Sequence, residues 1–156
     1  MDHKNSILYF AYGSNMSTKR LRGRIPNVRL IGIAVLKDYA FTCNKASKDG
    51  SSKGNITPLK GALTWGVVFE IPIDAISILD KAEGGYTRNN VSVSLDGKEM
   101  ECETYISQKL STELPYDWYM NYIIEGAHEH GLPTDYIHAL TQIKVKKQPA
   151  SPSRPG

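Results

Sequence analysis

The 156-residue sequence has only two cysteines, Cys43 and Cys102, which are too few for a disulfide framework or a cysteine-based zinc site. Its longest apolar runs, such as residues 31–36, are far shorter than the roughly 18 residues that a membrane-spanning helix requires. The first residues also lack the basic-then-apolar pattern of a secretory signal. These deficits predict a protein of the reducing cytoplasm that has no membrane segment.

The overall composition is that of an ordinary globular protein, with 40% hydrophobic and 22% charged residues, which excludes a disordered chain and a fibrous repeat. The formal charge is +3, with eleven Lys or Arg against three Asp or Glu in residues 1–60. The last thirteen residues add four basic residues, three prolines and no acidic residue. We therefore expect one folded domain over residues 1–143 and a flexible basic tail over residues 144–156.

The strongest indication of nucleic-acid binding is the basic stretch of residues 19–24. Its basic residues do not alternate with aromatic ones, and it is barely two helical turns long. A solvated helix face is the simpler explanation, so no nucleic-acid partner is expected. His128 and His130 lack the i, i+4 spacing that places two metal ligands on one helix face, and no metal is expected either.

Signals for strands and helices alternate irregularly along the chain. Residues 7–12 are typical of a buried strand, Asp74 can cap a helix that ends at two glycines, and the pair Asp96 and Gly97 predicts a type I′ hairpin. Residues 44–60 are rich in Gly, Ser, Asn and Lys, which predicts a solvated loop that could border a site. The pattern indicates an α+β fold, with a mixed sheet or small β-barrel and flanking helices.

Small polar residues follow the first predicted strand, in the order Tyr12, Gly13, Ser14 and Asn15. A glycine at such a position lets consecutive backbone N–H groups face outward, where they can bind a carboxylate or a developing oxyanion. The following helix would add partial positive charge. The alternative is an ordinary turn between a strand and a helix.

Glu83 lies at the end of the helix that Asp74 begins, just before Gly84 and Gly85. Burial beside apolar side chains would raise the proton affinity of its carboxylate, and the negative end of the helix dipole would act in the same direction. Such a carboxylate can act first as a general base and then as a general acid. The alternative is a solvated glutamate at a helix end.

Four groups of residues resemble motifs of the γ-glutamylcyclotransferases and follow the same order. They are residues 9–16 (Tyr-Phe-Ala-Tyr-Gly-Ser-Asn-Met), 65–68 (Trp-Gly-Val-Val), 79–84 (Leu-Asp-Lys-Ala-Glu-Gly), and 126–127 with 131–133. Tyr-Gly-Ser-Asn in the first motif is similar to the branch that acts on γ-glutamyl amino acids or amides, whereas ChaC-type relatives usually have Tyr-Gly-Ser-Leu. That branch includes a butirosin-pathway enzyme that removes a γ-glutamyl group from an aminoglycoside precursor.

The resemblance implies a γ-glutamylcyclotransferase-like domain in which the α-amine of a γ-glutamyl group attacks its own γ-carbonyl. The products would be 5-oxoproline and a free amine. The resemblance makes Glu83 the catalytic acid and base, the loop from Tyr12 to Asn15 the holder of the glutamyl group, and Tyr119 a residue of the substrate pocket. It implies a small γ-glutamyl substrate and no cofactor.

Three questions stay open at this point. The leaving amine could be an amino acid, a polyamine or an aminoglycoside. The expected oligomeric state is a monomer or a weak homodimer. The competing function is a non-catalytic module of the same fold that binds γ-glutamyl compounds without turnover.

Overall fold

The computed structural model describes residues 5–149, which fold around a five-stranded β-barrel. The strands are β1 (Ser6–Ala11), β2 (Arg29–Ala46), β3 (Ser52–Pro72), β4 (Thr87–Leu95) and β5 (Lys98–Ile106). The helices are α1 (Thr18–Arg24), α2 (Ile76–Ala82), α3 (Asp117–His130) and α4 (Thr134–Thr141), with 3-10 turns at Ser14–Met16 and Ile73–Ala75. The predicted α+β class, with a small barrel and flanking helices, is confirmed.

The barrel has the strand order β1–β3–β2–β4–β5 and closes where β5 meets β1. That closing pair is parallel, with Tyr9 opposite Glu103, while the other pairs are antiparallel. Asp96 and Gly97 have φ values of 51° and 80°, and both occupy the left-handed region that a type I′ turn requires. The predicted hairpin between β4 and β5 is therefore confirmed.

The end of β1 and residues 66–71 of β3 are buried on both faces. Side chains alternate along a strand, so Phe10 and Val68 belong to a cluster built from all five strands inside the barrel. Tyr9 and Phe69 belong to a second cluster that includes residues of the helices. Burial on both faces explains why residues 7–12 are almost continuously apolar.

The prediction of a loop over residues 44–60 is wrong, because these residues form the end of β2, a short turn and the start of β3. Their polar side chains have partners within the fold. The Asn55 amide donates to Asn44 Oδ1 at 2.9 Å and to the Ser107 carbonyl at 3.0 Å, and it accepts from the Ser107 N–H at 3.0 Å. Hydrogen bonds to other elements thus let a polar sequence form a buried strand.

The helix that carries Glu83 begins differently from the prediction. Asp74 lies in the 3-10 turn, and α2 starts at Ile76 without a side-chain cap. Leu79 is fully buried and Ile76 packs against the same cluster, as predicted. Packing of these apolar side chains therefore holds the helix in place without an N-cap.

The first residues of the predicted flexible tail are paired with the start of α3. The Lys146 N–H donates to the Pro115 carbonyl, and the Asp117 N–H donates to the Lys146 carbonyl, both at 3.0 Å. The Trp118 indole donates to Gln148 Oε1 at 2.8 Å. Residues 150–156 lie outside the described residues, so the flexibility of that part stays a prediction.

Helix α3 packs directly on the 3-10 turn that follows the predicted binding loop. A Cβ at Gly126 would lie 2.8 Å from Met16 Cβ and from the Ser17 nitrogen. Both distances are shorter than van der Waals contact, and the backbone nitrogen cannot move aside as a flexible side chain would. Only glycine at position 126 lets the helix hold the turn this closely.

Replacing Gly126 with alanine should lower the free energy of unfolding by about 1–3 kcal/mol, because the added methyl overpacks this contact. Urea denaturation would measure the change. Gly23→Ala is the matched control: Gly23 lies in α1 with no atom within 4 Å of its would-be Cβ. That variant should gain about 0.5–1 kcal/mol from helix propensity. Equal stability of the two variants would contradict the packing argument.

Candidate active site

A narrow cavity opens between the end of β1, the end of α2 and helix α3. Its lining consists of Tyr9, Tyr12, Gly13, Ser14, Asn15, Gly54, Glu83, Tyr86, Tyr105 and Tyr119. The structure thus brings all six residues that the sequence nominated around one space. The cavity has a volume of about 30 Å³, enough for roughly two water molecules.

Glu83 is the first residue beyond α2, where the backbone leaves the helical conformation with φ −99° and ψ 49°. Its N–H still donates to the Leu79 carbonyl at 2.9 Å, and its carbonyl accepts from the Tyr86 N–H at 3.2 Å. The buried Leu79 anchors the helix beneath. Backbone hydrogen bonds on both sides therefore fix Glu83 at the cavity wall.

The side chain of Asn15 connects the loop after β1 to Glu83. Its Nδ2 donates to Glu83 Oε1 at 2.9 Å and to Tyr9 Oη at 3.1 Å. Its Oδ1 accepts from Arg24 Nη1 at 3.0 Å. Because the guanidinium can only donate, it fixes the orientation of the amide and directs the NH₂ group toward the carboxylate.

The loop itself offers unpaired backbone donors. Gly13 and Ser14 accept through their carbonyls from Met16 and Ser17, which forms the 3-10 turn. The N–H groups of Ser14 and Asn15, the first two residues of that turn, have no acceptor within residues 5–149. They are therefore free to bind a negatively charged oxygen in the cavity.

Two tyrosines of the lining form hydrogen bonds with the backbone of Gly54. The Gly54 N–H donates to Tyr119 Oη at 2.8 Å, and Tyr86 Oη donates to the Gly54 carbonyl. The hydroxyl of Tyr12 donates to the Tyr105 carbonyl. Within residues 5–149, the hydroxyl protons of Tyr9 and Tyr119 have no acceptor, so these two groups can donate to a bound molecule.

Burial raises the pKa of the Glu83 carboxyl above its usual value, and the cations of Arg24, Arg20 and Lys45 oppose part of that rise. A raised pKa brings the carboxyl nearer to neutral pH, where it can both accept and return a proton. Burial also raises the pKa values of Tyr9 and Tyr119. These phenols therefore stay protonated as hydrogen-bond donors.

The basic stretch predicted as a solvated face divides between two roles. Arg24 bonds to Asn15, and the guanidinium of Arg20 lies 4.7 Å from the ring centre of Tyr122. Lys19 and Arg22 are exposed. Half of the stretch thus serves the cavity rather than the surface.

Neither a metal cluster nor a membrane helix is present in the described part of the chain. Residues 5–149 contain no group of three or more His, Cys, Asp or Glu side chains arranged to hold a metal ion. Over the same residues, no helix has the length and apolar character needed to cross a membrane.

Sequence reasoning missed four of the lining residues: Tyr9, Gly54, Tyr86 and Tyr105. Gly54 belongs to the segment that was predicted as a loop. Tyr9 lies in the same motif as Tyr12, and its aromatic character was interpreted as strand burial alone. Tyr105 reaches the cavity from β5, which no local pattern signals, whereas the position of Tyr86 three residues after Glu83 could have indicated its place.

The charge of Arg24 should hold down the pKa of Glu83. We expect Arg24→Gln to raise that pKa further, because it removes the largest opposing charge. The carboxyl chemical shift of Glu83, followed by ¹³C NMR against pH, would measure the change. Arg22→Gln, an exposed neighbour on the same helix, is the control and should leave the titration in place. An unshifted titration in Arg24→Gln would refute the assigned cation.

Comparison with known proteins identifies the family. The AIG2-like family model matches residues 64–140. A γ-glutamylcyclotransferase of Bos taurus is 34% identical, covering 89% of this chain and 79% of the relative, and that of Homo sapiens is 30% identical, covering 90% and 80%. A solved γ-glutamyl cyclotransferase superposes with a TM-score of 0.88 at 30% identity, covering 95% of this chain and 94% of its own. The chain therefore belongs to the γ-glutamylcyclotransferase family of enzymes.

Proposed function

We propose that the protein converts a γ-glutamyl conjugate into 5-oxoproline and a free amine. The observation that carries this proposal is the contact of Glu83 Oε1 with Asn15 Nδ2 at 2.9 Å. It places a carboxylate of raised proton affinity beside a loop with two free N–H donors. A zwitterionic glutamyl group needs both a proton acceptor and an anion holder, and the cavity offers the two side by side.

The reaction needs few catalytic parts because the nucleophile is tethered to the electrophile. The α-nitrogen attacks the γ-carbonyl carbon, a C–N bond closes the five-membered lactam, and the bond from that carbon to the leaving nitrogen breaks. Well-oriented intramolecular reactions reach effective concentrations of roughly 10⁵–10⁸ M. The main task of the cavity is thus to hold the glutamyl chain in a folded conformation.

Glu83 moves protons between the two nitrogens. The α-ammonium has three hydrogens and the lactam nitrogen keeps one, so two protons leave the α-nitrogen. The ionised Glu83 accepts the first, which frees the amine to attack, and the protonated carboxyl delivers it to the leaving nitrogen. The second leaves the ring nitrogen and protonates the released amine, so the product ammonium replaces the substrate ammonium and Glu83 returns to its ionised state. The Asn15 amide contacts one carboxylate oxygen and leaves the other available for this transfer.

Hydrogen-bond donors around the cavity can stabilise the two negative groups of the reacting molecule. These groups are the α-carboxylate and the oxyanion that forms on the γ-carbonyl. The N–H groups of Ser14 and Asn15 and the hydroxyls of Tyr9 and Tyr119 supply four donors. Donors fixed in position before the reaction stabilise developing charge without reorganisation.

The position of Glu83 argues against the non-catalytic alternative. A binding module would not require an acid with raised proton affinity at the cavity wall, and it would tolerate a carboxylate turned to solvent. Glu83 instead lines the same cavity as Gly13 and is held there by Asn15. This geometry supports turnover.

Replacing Glu83 with glutamine should lower the rate of 5-oxoproline release from γ-glutamyl-alanine by about 10²–10⁴-fold, because it removes the group that moves the proton. Chromatographic detection of 5-oxoproline would measure the rate. Glu125→Gln, at an exposed position of α3, is the control and should keep wild-type turnover. Thermal unfolding would verify that both variants fold. Near-normal release by Glu83→Gln would exclude the proposed role.

The hydroxyl of Tyr119 should also contribute to turnover. In Tyr119→Phe we expect kcat/KM to fall by about 10–100-fold, because a hydrogen bond to a charged group contributes roughly 1.5–3 kcal/mol. Tyr122 lies one helical turn after Tyr119, and Tyr122→Phe is the control. This variant keeps the ring that contacts Arg20, so it should have wild-type activity. Equal activity of the two variants would show that the Tyr119 hydroxyl has no part in the reaction.

A further inference from the structure

A basic depression lies on the surface beside the proposed active site. Its lining consists of Lys45, Ala46, Ser47, Lys48, Lys81, Ala82, Gly84, Gly85 and Lys109. We call this feature the lysine depression, since four of the nine residues are lysines and none is acidic. Its volume is about 690 Å³, so it is much larger than the cavity that holds Glu83.

The lysines of the lysine depression lie outside the salt bridges of the fold. Within residues 5–149, none of the four lysines takes part in an ion pair. The acidic residues next to two of them in the chain are engaged elsewhere. Asp49 pairs with Lys53 at 2.9 Å, and Asp80 pairs with Arg88 at 3.2 Å.

The lysine depression adjoins the catalytic cavity through Glu83. Ala82 and Gly84, the two neighbours of Glu83 in the chain, line the lysine depression while Glu83 lines the cavity. Lys45 Nζ lies 5.0 Å from the ring centre of Tyr86, which also lines the cavity. The two glycines after Glu83 place no side chain between the two spaces.

Lys45 packs over Gly85 at this boundary. The Cε and Nζ atoms of Lys45 both lie 2.9 Å from the point that a Cβ at Gly85 would occupy. Lys45 is half-buried, and its charge acts on Glu83. The absence of a side chain at Gly85 therefore lets the ammonium lie between the depression and the carboxylate.

Backbone hydrogen bonds tie the walls of the lysine depression together. The Ala46 N–H donates to the Lys109 carbonyl at 2.7 Å, and Ser107 Oγ donates to the Gly85 carbonyl at 2.8 Å. The end of β2, the segment after β5 and the segment after α2 thus form one frame. The lysines project from fixed backbone positions.

The small size of the cavity indicates which part of a substrate binds in the cavity and which part binds in the lysine depression. With about 30 Å³ against about 690 Å³, the cavity has no room for the amine part of a conjugate, whereas the lysine depression has. The leaving nitrogen must lie near Glu83 to receive its proton, so whatever is attached to that nitrogen extends outward past Glu83. The adjoining space on that side is the lysine depression.

We infer that the lysine depression is the subsite for the leaving amine and that it selects amines bearing carboxylate groups, above all an acidic amino acid or a short acidic peptide. Four unpaired ammonium groups attract such anions and repel a polyamine or an aminoglycoside. This inference rests on the proposed cyclotransferase function and specifies the substrate class that it leaves open.

Four conjugates test the inference: γ-glutamyl-glutamate, γ-glutamyl-alanine, γ-glutamyl-alaninamide and γ-glutamyl-lysinamide. The kcat/KM values for 5-oxoproline release should fall in that order. The value for γ-glutamyl-glutamate should exceed that for γ-glutamyl-alaninamide by at least about tenfold, because its leaving group has two carboxylates and one surface charge contact contributes up to about fivefold. Raising the ionic strength to about 0.5 M should shrink this ratio toward one through screening.

A charge-matched pair of variants separates the lysine depression from net charge. The triple variant Lys48→Gln, Lys81→Gln, Lys109→Gln should lower the ratio of glutamate to alaninamide conjugate by at least about fivefold. Lys45 is left intact because its charge acts on Glu83. The control replaces three exposed lysines outside the depression, Lys37→Gln, Lys60→Gln, Lys98→Gln, and should keep the wild-type ratio.

If the alaninamide conjugate is turned over, the proposed function is upheld. Two results would then overturn the subsite inference alone. One is a ratio near one in the wild-type protein, and the other is an equal drop in the control triple variant. Absence of 5-oxoproline from all four conjugates would instead overturn the proposed function, and the subsite assignment with it.

Discussion

The hydrogen bond between Asn15 and Glu83 joins residues 68 positions apart and holds the whole site together. It connects the loop after β1 to the end of α2, and Arg24 and Tyr9 converge on the same amide. Without it, the anion-binding loop and the carboxylate would have no direct link. Because the amide is buried, a lost partner would leave a polar group unpaired, which proteins strongly disfavour. The hydrogen bond is thus both a structural link and a constraint on the position of the Glu83 carboxylate.

The barrel and α3 supply the rigidity that this tie requires. β1 is paired on one side with β3 and on the other with β5, so the loop leaves a strand that cannot shift. Helix α3 packs against the 3-10 turn at Gly126 and places Tyr119 in the wall of the cavity. Catalytic groups built on such elements need no reorganisation when charge develops.

Local patterns predicted the elements whose side chains meet partners nearby in the sequence. The buried strand before Gly13, the turn at Asp96 and Gly97, and the apolar face of α2 follow from alternation, turn chemistry and periodicity. Glu83 and the loop were found because short motifs resemble those of a known family. Residues 44–60 were misjudged because Asn55 obtains its partners from Ser107, more than fifty residues away. Tyr105 was missed for the same reason, because it reaches the cavity from β5, whereas Tyr86 lies three residues after Glu83 and was overlooked although it is close in the sequence.

The tyrosine contacts at Gly54 have a consequence for how the enzyme could change its substrates. One residue of β3 donates its N–H to Tyr119 and accepts at its carbonyl from Tyr86, so the same backbone unit fixes two lining side chains. Mutations of either side chain cannot widen the cavity without breaking a hydrogen bond to that unit. The lysine side chains of the lysine depression, by contrast, do not form these hydrogen bonds. Evolution can therefore retune which amines are released by altering the lysine depression, while recognition of the glutamyl group stays locked to the strand.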